Sequence, residues 1–169
     1  MTAITALRHY PSGAAALRAT YPGVSVDAGK IRDMLGNLAL HWIGSATGQM
    51  RFGEPLLALY QLYKRCQADG WDGEDGEAIS LDTLMEAEKL LGSLPSSVPM
   101  PEFLPEATGA IAFEWYRGRD RVFVISVSGA KTIEFAGLFG HGNELHGKTN
   151  FEDSLPSIIQ GDLREFFRQ

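Results

Sequence analysis

The sequence predicts an α+β domain in which helices come first and an antiparallel sheet follows. Two observations carry this: apolar residues recur at helical spacing up to residue 94, and after residue 109 short runs of β-branched and aromatic residues alternate with glycine turns. A final helical stretch closes the chain. The expected architecture is a set of N-terminal helices, then a three- to four-stranded antiparallel meander packed by a C-terminal helix. A length of 169 residues suits a single domain. Within it, residues 1–25 read as a loosely ordered arm, 26–94 as a helical part and 109–169 as the sheet with its C-terminal helix.

In the arm, Pro11, Gly13, Pro22 and Gly23 allow at most a short helix near Ala14 to Ala19. Asp27 can cap a helix carrying Ile31, Met34, Leu35, Leu38 and Trp42, with Gly44 as its stop and Gly48 opening a loop. A second helix is expected from Glu54, with Pro55 in its first turn, Leu56, Leu59, Tyr60 and Tyr63 on one face, and its end near Gly70. Ser80 or Asp82 starts a third through Leu84, Ala87, Leu90, Leu91 and Leu94, and Pro95 forbids its continuation.

Pro95, Pro99, Pro101 and Pro105 make residues 95–108 an extended surface connector. Strands are expected over Gly109 to Tyr116, Arg121 to Val127 and Lys131 to Leu138, joined by turns at Gly118-Arg119-Asp120 and Ser128-Gly129-Ala130. Turns centred on their middle residues place Phe113 opposite Ile125, Ile125 opposite Ile133, and Trp115, Phe123 and Phe135 in a second row. The other face then carries Glu114, Val124 and Glu134 in one row. The last helix, capped by Ser154, presents Leu155, Ile158, Ile159, Leu163, Phe166 and Phe167 to the sheet.

Composition bounds the function. A net charge of −6 disfavours non-specific nucleic-acid binding and leaves room for a partner with a basic surface. No apolar run approaches the roughly 18 residues of a membrane span, and no basic-then-apolar leader opens the sequence, so the cytoplasm is the expected compartment. Cys66 is the single cysteine and is expected to be structural.

Gly142-Asn143-Glu144-Leu145-His146-Gly147-Lys148-Thr149 matches the phosphate-binding pattern of P-loop NTPases. A working loop needs a helix starting at the lysine, so that backbone N–H groups and the helix N-terminus meet the anion together. Here Asn150 to Pro156 is turn chemistry. The competing reading of Asn143 to Lys148 is a fourth, edge strand. Gly142, Gly147, Lys148 and Thr149 remain the candidate anion cradle of an alternative function, a nucleotide- or phosphate-responsive domain or hydrolase with Glu114 or Glu134 as base.

Other constellations are thin. Asp69, Asp72, Glu74, Asp75 and Glu77 lack the alternating ligand spacing of a calcium loop. His141, Glu144 and His146 fall short of a zinc ligand set, so no metal and no cofactor is expected. No Gly-x-Ser-x-Gly elbow is present.

Gly70-Trp71-Asp72-Gly73, a following helix, Leu94-Pro95, Pro99, Pro101, Gly109, Ile111, Glu114 and Trp115 occur in one order. This string resembles a group of small bacterial proteins of unestablished activity that share a Gly-Trp-Asp-Gly turn, a helix, a Pro-rich connector and a Glu-Trp strand. The resemblance covers about residues 69–138 and implies no activity.

The residues therefore point away from an enzyme and toward a non-enzymatic acidic regulator that covers a protein partner, as antitoxins, immunity proteins and phage-encoded defence inhibitors do. The expected contact residues are Trp71, Asp72, Glu74 and Asp75 in the acidic turn, Trp42 and Phe52 bounding an exposed stretch, and Glu114 and Glu134 on the sheet. Self-association through the connector and the sheet edge is a further expectation.

Overall fold

A computed structural model describes residues 46–140 and 142–168, with side chains from residue 51 onward. The expected arm, the helix capped by Asp27, Trp42 and His141 lie outside the described residues. The elements are α1 (Ala46–Arg65), α2 (Leu81–Ser93), β1 (Glu102–Pro105), β2 (Ile111–Tyr116), β3 (Arg121–Val127), β4 (Thr132–Phe139), β5 (Glu144–Asn150) and α3 (Ser157–Arg168). The strands form one antiparallel sheet in sequence order. The α+β prediction holds, with five strands in place of three or four.

The additional strand is β1, which arises inside the Pro-rich connector. Proline fixes an extended φ, so it suits an edge strand provided its missing N–H faces outward. The backbone bond from Glu106 N to Ala110 O sets the pattern: Glu102, Leu104 and Glu106 face β2, while Pro101, Phe103 and Pro105 face away. α1 also differs from expectation. It begins at Ala46, so Pro55 lies inside it and Gly48 is helical rather than in a loop, and it ends at Arg65 rather than near Gly70. A mid-helix proline deprives the carbonyl four residues earlier of its donor, and a helical pattern broken by proline reads as a start. Tertiary contacts carry the helix through: Leu59 and Leu62 are buried, and the Arg51 guanidinium donates to the Pro95 and Val98 carbonyls. α3 starts at Ser157, after Pro156, and not from a Ser154 cap.

Two helices line the inner sheet face. Ser80 caps α2 as expected, its hydroxyl accepting from Thr83 N at 3.0 Å. Leu84, Ala87, Leu90 and Leu91 on α2 and Ile159, Leu163 and Phe166 on α3 are buried against Ile111, Phe113, Phe123, Ile125, Val127 and Ile133. Phe123, Phe139 and Phe166 form a cluster with ring centroids about 6 Å apart, and Arg117 and Arg121 donate to the Phe166 carbonyl, satisfying the end of α3.

The β2–β3 register is the expected one, pairing Phe113 with Ile125 and Trp115 with Phe123. β3–β4 is shifted by two residues. Ile125 faces Phe135 rather than Ile133, and Phe123 faces Gly137 rather than Phe135. The joining loop is Ser128–Lys131, with Gly129 at φ +78° and Lys131 at +58°. Gly129 lies against the first turn of α2, where a Cβ would stand 2.8 Å from Thr83 N, so the turn is shaped by a contact distant in sequence. Two further glycines sit beneath rings. A Cβ on Gly137 would meet Phe139 at 2.7 Å and Phe123 at 2.8 Å, and one on Gly147 would meet the Phe135 ring at 2.6 Å. Phe123 and Phe135 each cover the glycine directly opposite on the neighbouring strand, and Phe139 reaches Gly137 from two residues along β4.

Among the described residues Glu86 is the buried acidic side chain of the core. It is 7% exposed and neither carboxylate oxygen has a hydrogen-bond partner among the described residues. Burial pushes its pKa up, against weaker lowering by the nearby Gly129 and Lys131 backbone N–H groups, which do not reach hydrogen-bonding geometry, and by Lys89. A carboxyl whose folded pKa is raised binds more protons folded than unfolded, so stability falls as pH rises from the ordinary glutamate value through the raised one. Asp162, raised by burial and then by Glu165, adds slope of the same sign.

Two outcomes follow from this packing. Gly147→Ala should cost about 1–3 kcal/mol in urea denaturation, and a Phe135→Leu background should recover part of it by giving the Cβ room. Glu86→Gln should flatten the fall in stability between mildly acidic and neutral pH, measured as Tm against pH; an unchanged slope would show that Glu86 does not titrate differently on folding.

Candidate functional site

The acidic turn is built by its own carboxylates. Asp72 Oδ1 accepts from Glu74 N at 2.9 Å and Gly76 N at 3.1 Å, and Asp69 Oδ1 accepts from Ala78 N at 2.9 Å. Gly76 must lack a side chain, because a Cβ there would meet the Asp72 carboxylate at 2.8 Å. The half-buried Trp71 donates its indole N–H to Glu77 O at 2.9 Å. Backbone bonds from Glu77 N to Ala107 O and Ile79 N to Cys66 O fasten the turn to the β1–β2 connection and the end of α1, with Cys66 fully buried beneath. A Cβ on Gly109, at φ +74°, would stand 2.9 Å from Ala78 O, so the two turns touch. Of the expected contact residues, Asp72 is therefore engaged internally, while Glu74 and Asp75 are exposed beside a cleft of about 650 Å³. The N–H groups of Glu74, then Gly76, hold the Asp72 pKa below its ordinary value.

The outer sheet face is the second surface. From β1 to β5 its rows read Leu104, Ala112, Ser126, Glu134, Lys148 and then Glu102, Glu114, Val124, Ala136, His146; a third row runs Tyr116, Val122, Leu138, Glu144 from β2 to β5. The β3–β4 shift places Glu134 opposite Ser126, so Glu114 and Glu134 do not share a row as the sequence suggested. Two strand spacings and two residues along the chain separate their backbones by roughly 12 Å. Glu134 instead accepts from Lys148 Nζ at 2.8 Å, and Glu106 accepts from the Ser126 hydroxyl. Glu102 and Glu114 stand directly opposite each other, and no ion pair engages either among the described residues. Beside them lies an apolar strip in which Tyr116 is 65% and Leu138 40% exposed.

Residues 142–149 form a turn and the strand β5, as the edge-strand reading held. Gly142 takes φ +76° at the turn, Gly147 lies under Phe135, Lys148 is paired with Glu134 and Thr149 faces Ile133. Each residue of the phosphate-loop match thus has a structural role in a hairpin, and the backbone is an extended strand rather than a cradle of convergent N–H groups. Phe52 is half-buried on α1, 5.1 Å from the Arg51 guanidinium, and so lies on a helix rather than in an exposed loop. Among the described residues no three His, Cys, Asp or Glu side chains converge as a metal site, and no helix is long and apolar enough to cross a membrane.

Sequence reasoning missed Glu102, Tyr116, Val122 and Leu138. Glu102 was hidden by the connector, and the other three needed the true register to become neighbours. No protein-family model, characterised protein or solved structure matches the chain.

The turn predicts a pH response. The folded Asp72 pKa is depressed, so its contribution to turn order is complete above the ordinary aspartate value and is lost as pH falls through the depressed one. Hydrogen-exchange protection factors of the Glu74 and Gly76 amides should hold through mild acid and fall only below it, and Asp72→Ala should lower both at neutral pH. Unchanged exchange in that variant would remove Asp72 as the organiser of the turn.

Proposed function

We propose that this chain is a non-enzymatic acidic regulator, of the antitoxin, immunity-protein or defence-inhibitor kind, which acts by covering the basic surface of a protein partner with its outer sheet face. The observation that carries this reading is the Glu102–Glu114 pair beside the strip formed by exposed Tyr116 and Leu138 with half-buried Val122 between them. Like charges directly opposite each other in an antiparallel pair destabilise the sheet. A cation on a partner would relieve that repulsion, and the apolar strip supplies the contact area that polar rows alone lack. Glu144, at the end of the strip's row, adds a third carboxylate. The acidic turn, with Glu74 and Asp75 exposed on a backbone held by Asp69 and Asp72, is the competing contact surface on the same reading.

The two surfaces separate experimentally. Glu102→Gln with Glu114→Gln should raise stability by about 0.2–1 kcal/mol while lowering partner capture, since relief of repulsion and loss of complementarity act in opposite directions. Capture from host lysate, quantified by mass spectrometry, should fall at least tenfold for that variant and for Leu138→Asp. Capture that survives both changes and is lost in Glu74→Lys with Asp75→Lys would move the interface to the turn. No stoichiometric protein with any variant would sink the reading.

A further inference from the structure

The two edges of the sheet are chemically opposite. Along β1 the outward-facing positions are Phe103 and Pro105, with Pro101 just before the strand, so two of these three present no N–H to an incoming strand. On β5 the bonds from Phe139 N to Asn143 O and from Phe151 N to Lys131 O show that the odd-numbered residues bond to β4. Glu144, His146, Lys148 and Asn150 therefore direct their N–H and C=O groups outward, and all four side chains are exposed. Among the described residues no strand occupies that edge.

Charged side chains on an edge ordinarily discourage pairing. Here their order is self-complementary. Glu144, His146 and Lys148 alternate on one face as acid, imidazole and base, so a reversed copy of the strand presents base against acid at both ends. Outward groups sit on even residues alone, which permits only registers shifted by whole pairs. Of these, the register centred on His146 sets Glu144 against Lys148 of the second copy twice over; a shift in one direction puts His146 against Lys148, and a shift in the other leaves Lys148 against a turn residue. The centred register also places Leu145 of each copy opposite Gly147 of the other on the inner face, where the glycine leaves space for it.

We propose that β5 pairs antiparallel with β5 of a second copy about a two-fold axis at His146, joining the two sheets into one. The interface is isologous, each residue meeting its counterpart's partner by symmetry. It shares only Glu144 with the docking face: a chain that binds no other protein would still pair this edge. A few strand residues bury less than a standard interface, so the dimer is weak.

Sedimentation equilibrium of the full chain from about 5 µM to about 500 µM tests this, that span covering the weak affinities such an interface gives. The apparent mass should rise from that of one chain, 18.5 kDa, toward twice that value. His146→Pro removes an outward N–H without touching the β4 ladder and should abolish the rise. Lys148→Glu should weaken association at least tenfold, and Glu144→Lys added to it should restore most of the loss; that comparison holds even where the proline variant folds poorly. A monomer throughout the range overturns the proposal, as does a dimer that persists in His146→Pro. Failure of the charge exchange to restore association overturns the register.

Discussion

The contact between Gly129 and the first turn of α2 governs more of this structure than its size suggests. A Cβ at that position would fall 2.8 Å from Thr83 N, so the β3–β4 turn can approach the helix only as glycine. The approach sets the loop, the loop sets which residue of β4 faces which of β3, and a shift of two residues moves every pairing of those two strands along with it. Phe123 then lies over Gly137, while the β4–β5 turn sets Phe135 over Gly147. In the register expected from the turn alone, Phe123 would face Phe135 in place of a glycine. Glu86, buried without a hydrogen-bond partner beside the same turn, is a cost of bringing helix and loop so close.

That dependence explains which parts were legible in the sequence. The β2–β3 turn is local: Gly118, at φ +126°, and its neighbours determine it, and the pairing of Phe113 with Ile125 follows from spacing alone. The Ser80 cap and the apolar period of α2 are likewise written within a few residues. The β3–β4 register depends on a helix more than thirty-five residues earlier and could not be read from its own turn. β1 was obscured because proline marks both connectors and blocked edges, and the distinction rests on which way its missing N–H points. α1 was shortened because Pro55 resembles a helix start when the contacts that sustain the preceding turns are unseen.

The candidate surfaces divide along the same line. Trp71 and Asp72 stood out in the sequence because a Gly-Trp-Asp-Gly turn is a compact local signal, and the structure shows those side chains organising the turn. The strip of Tyr116, Val122 and Leu138 carries no local signal. Its members come from three strands, each ordinary in its own segment, and they become a surface only once the register is set. The P-loop match shows the converse: Gly142, Gly147, Lys148 and Thr149 each have a physical reason to be where they are, and none of those reasons concerns phosphate.

The difference between the sheet edges also decides what kind of assembly this fold permits. A sheet open at both edges can add copies head to tail, β1 of one chain to β5 of the next, and such heterologous contacts propagate without limit. Pro101 and Pro105 deny β1 the donors that this addition requires. Pairing is then confined to β5, where any strand that joins uses the same edge and leaves only the proline-blocked β1 edges. An antiparallel pair of this kind closes on itself. The outer faces of the two sheets would then lie on one continuous surface, with the Glu144–Lys148 contacts at the seam between them, and the two apolar strips would be related by the same axis.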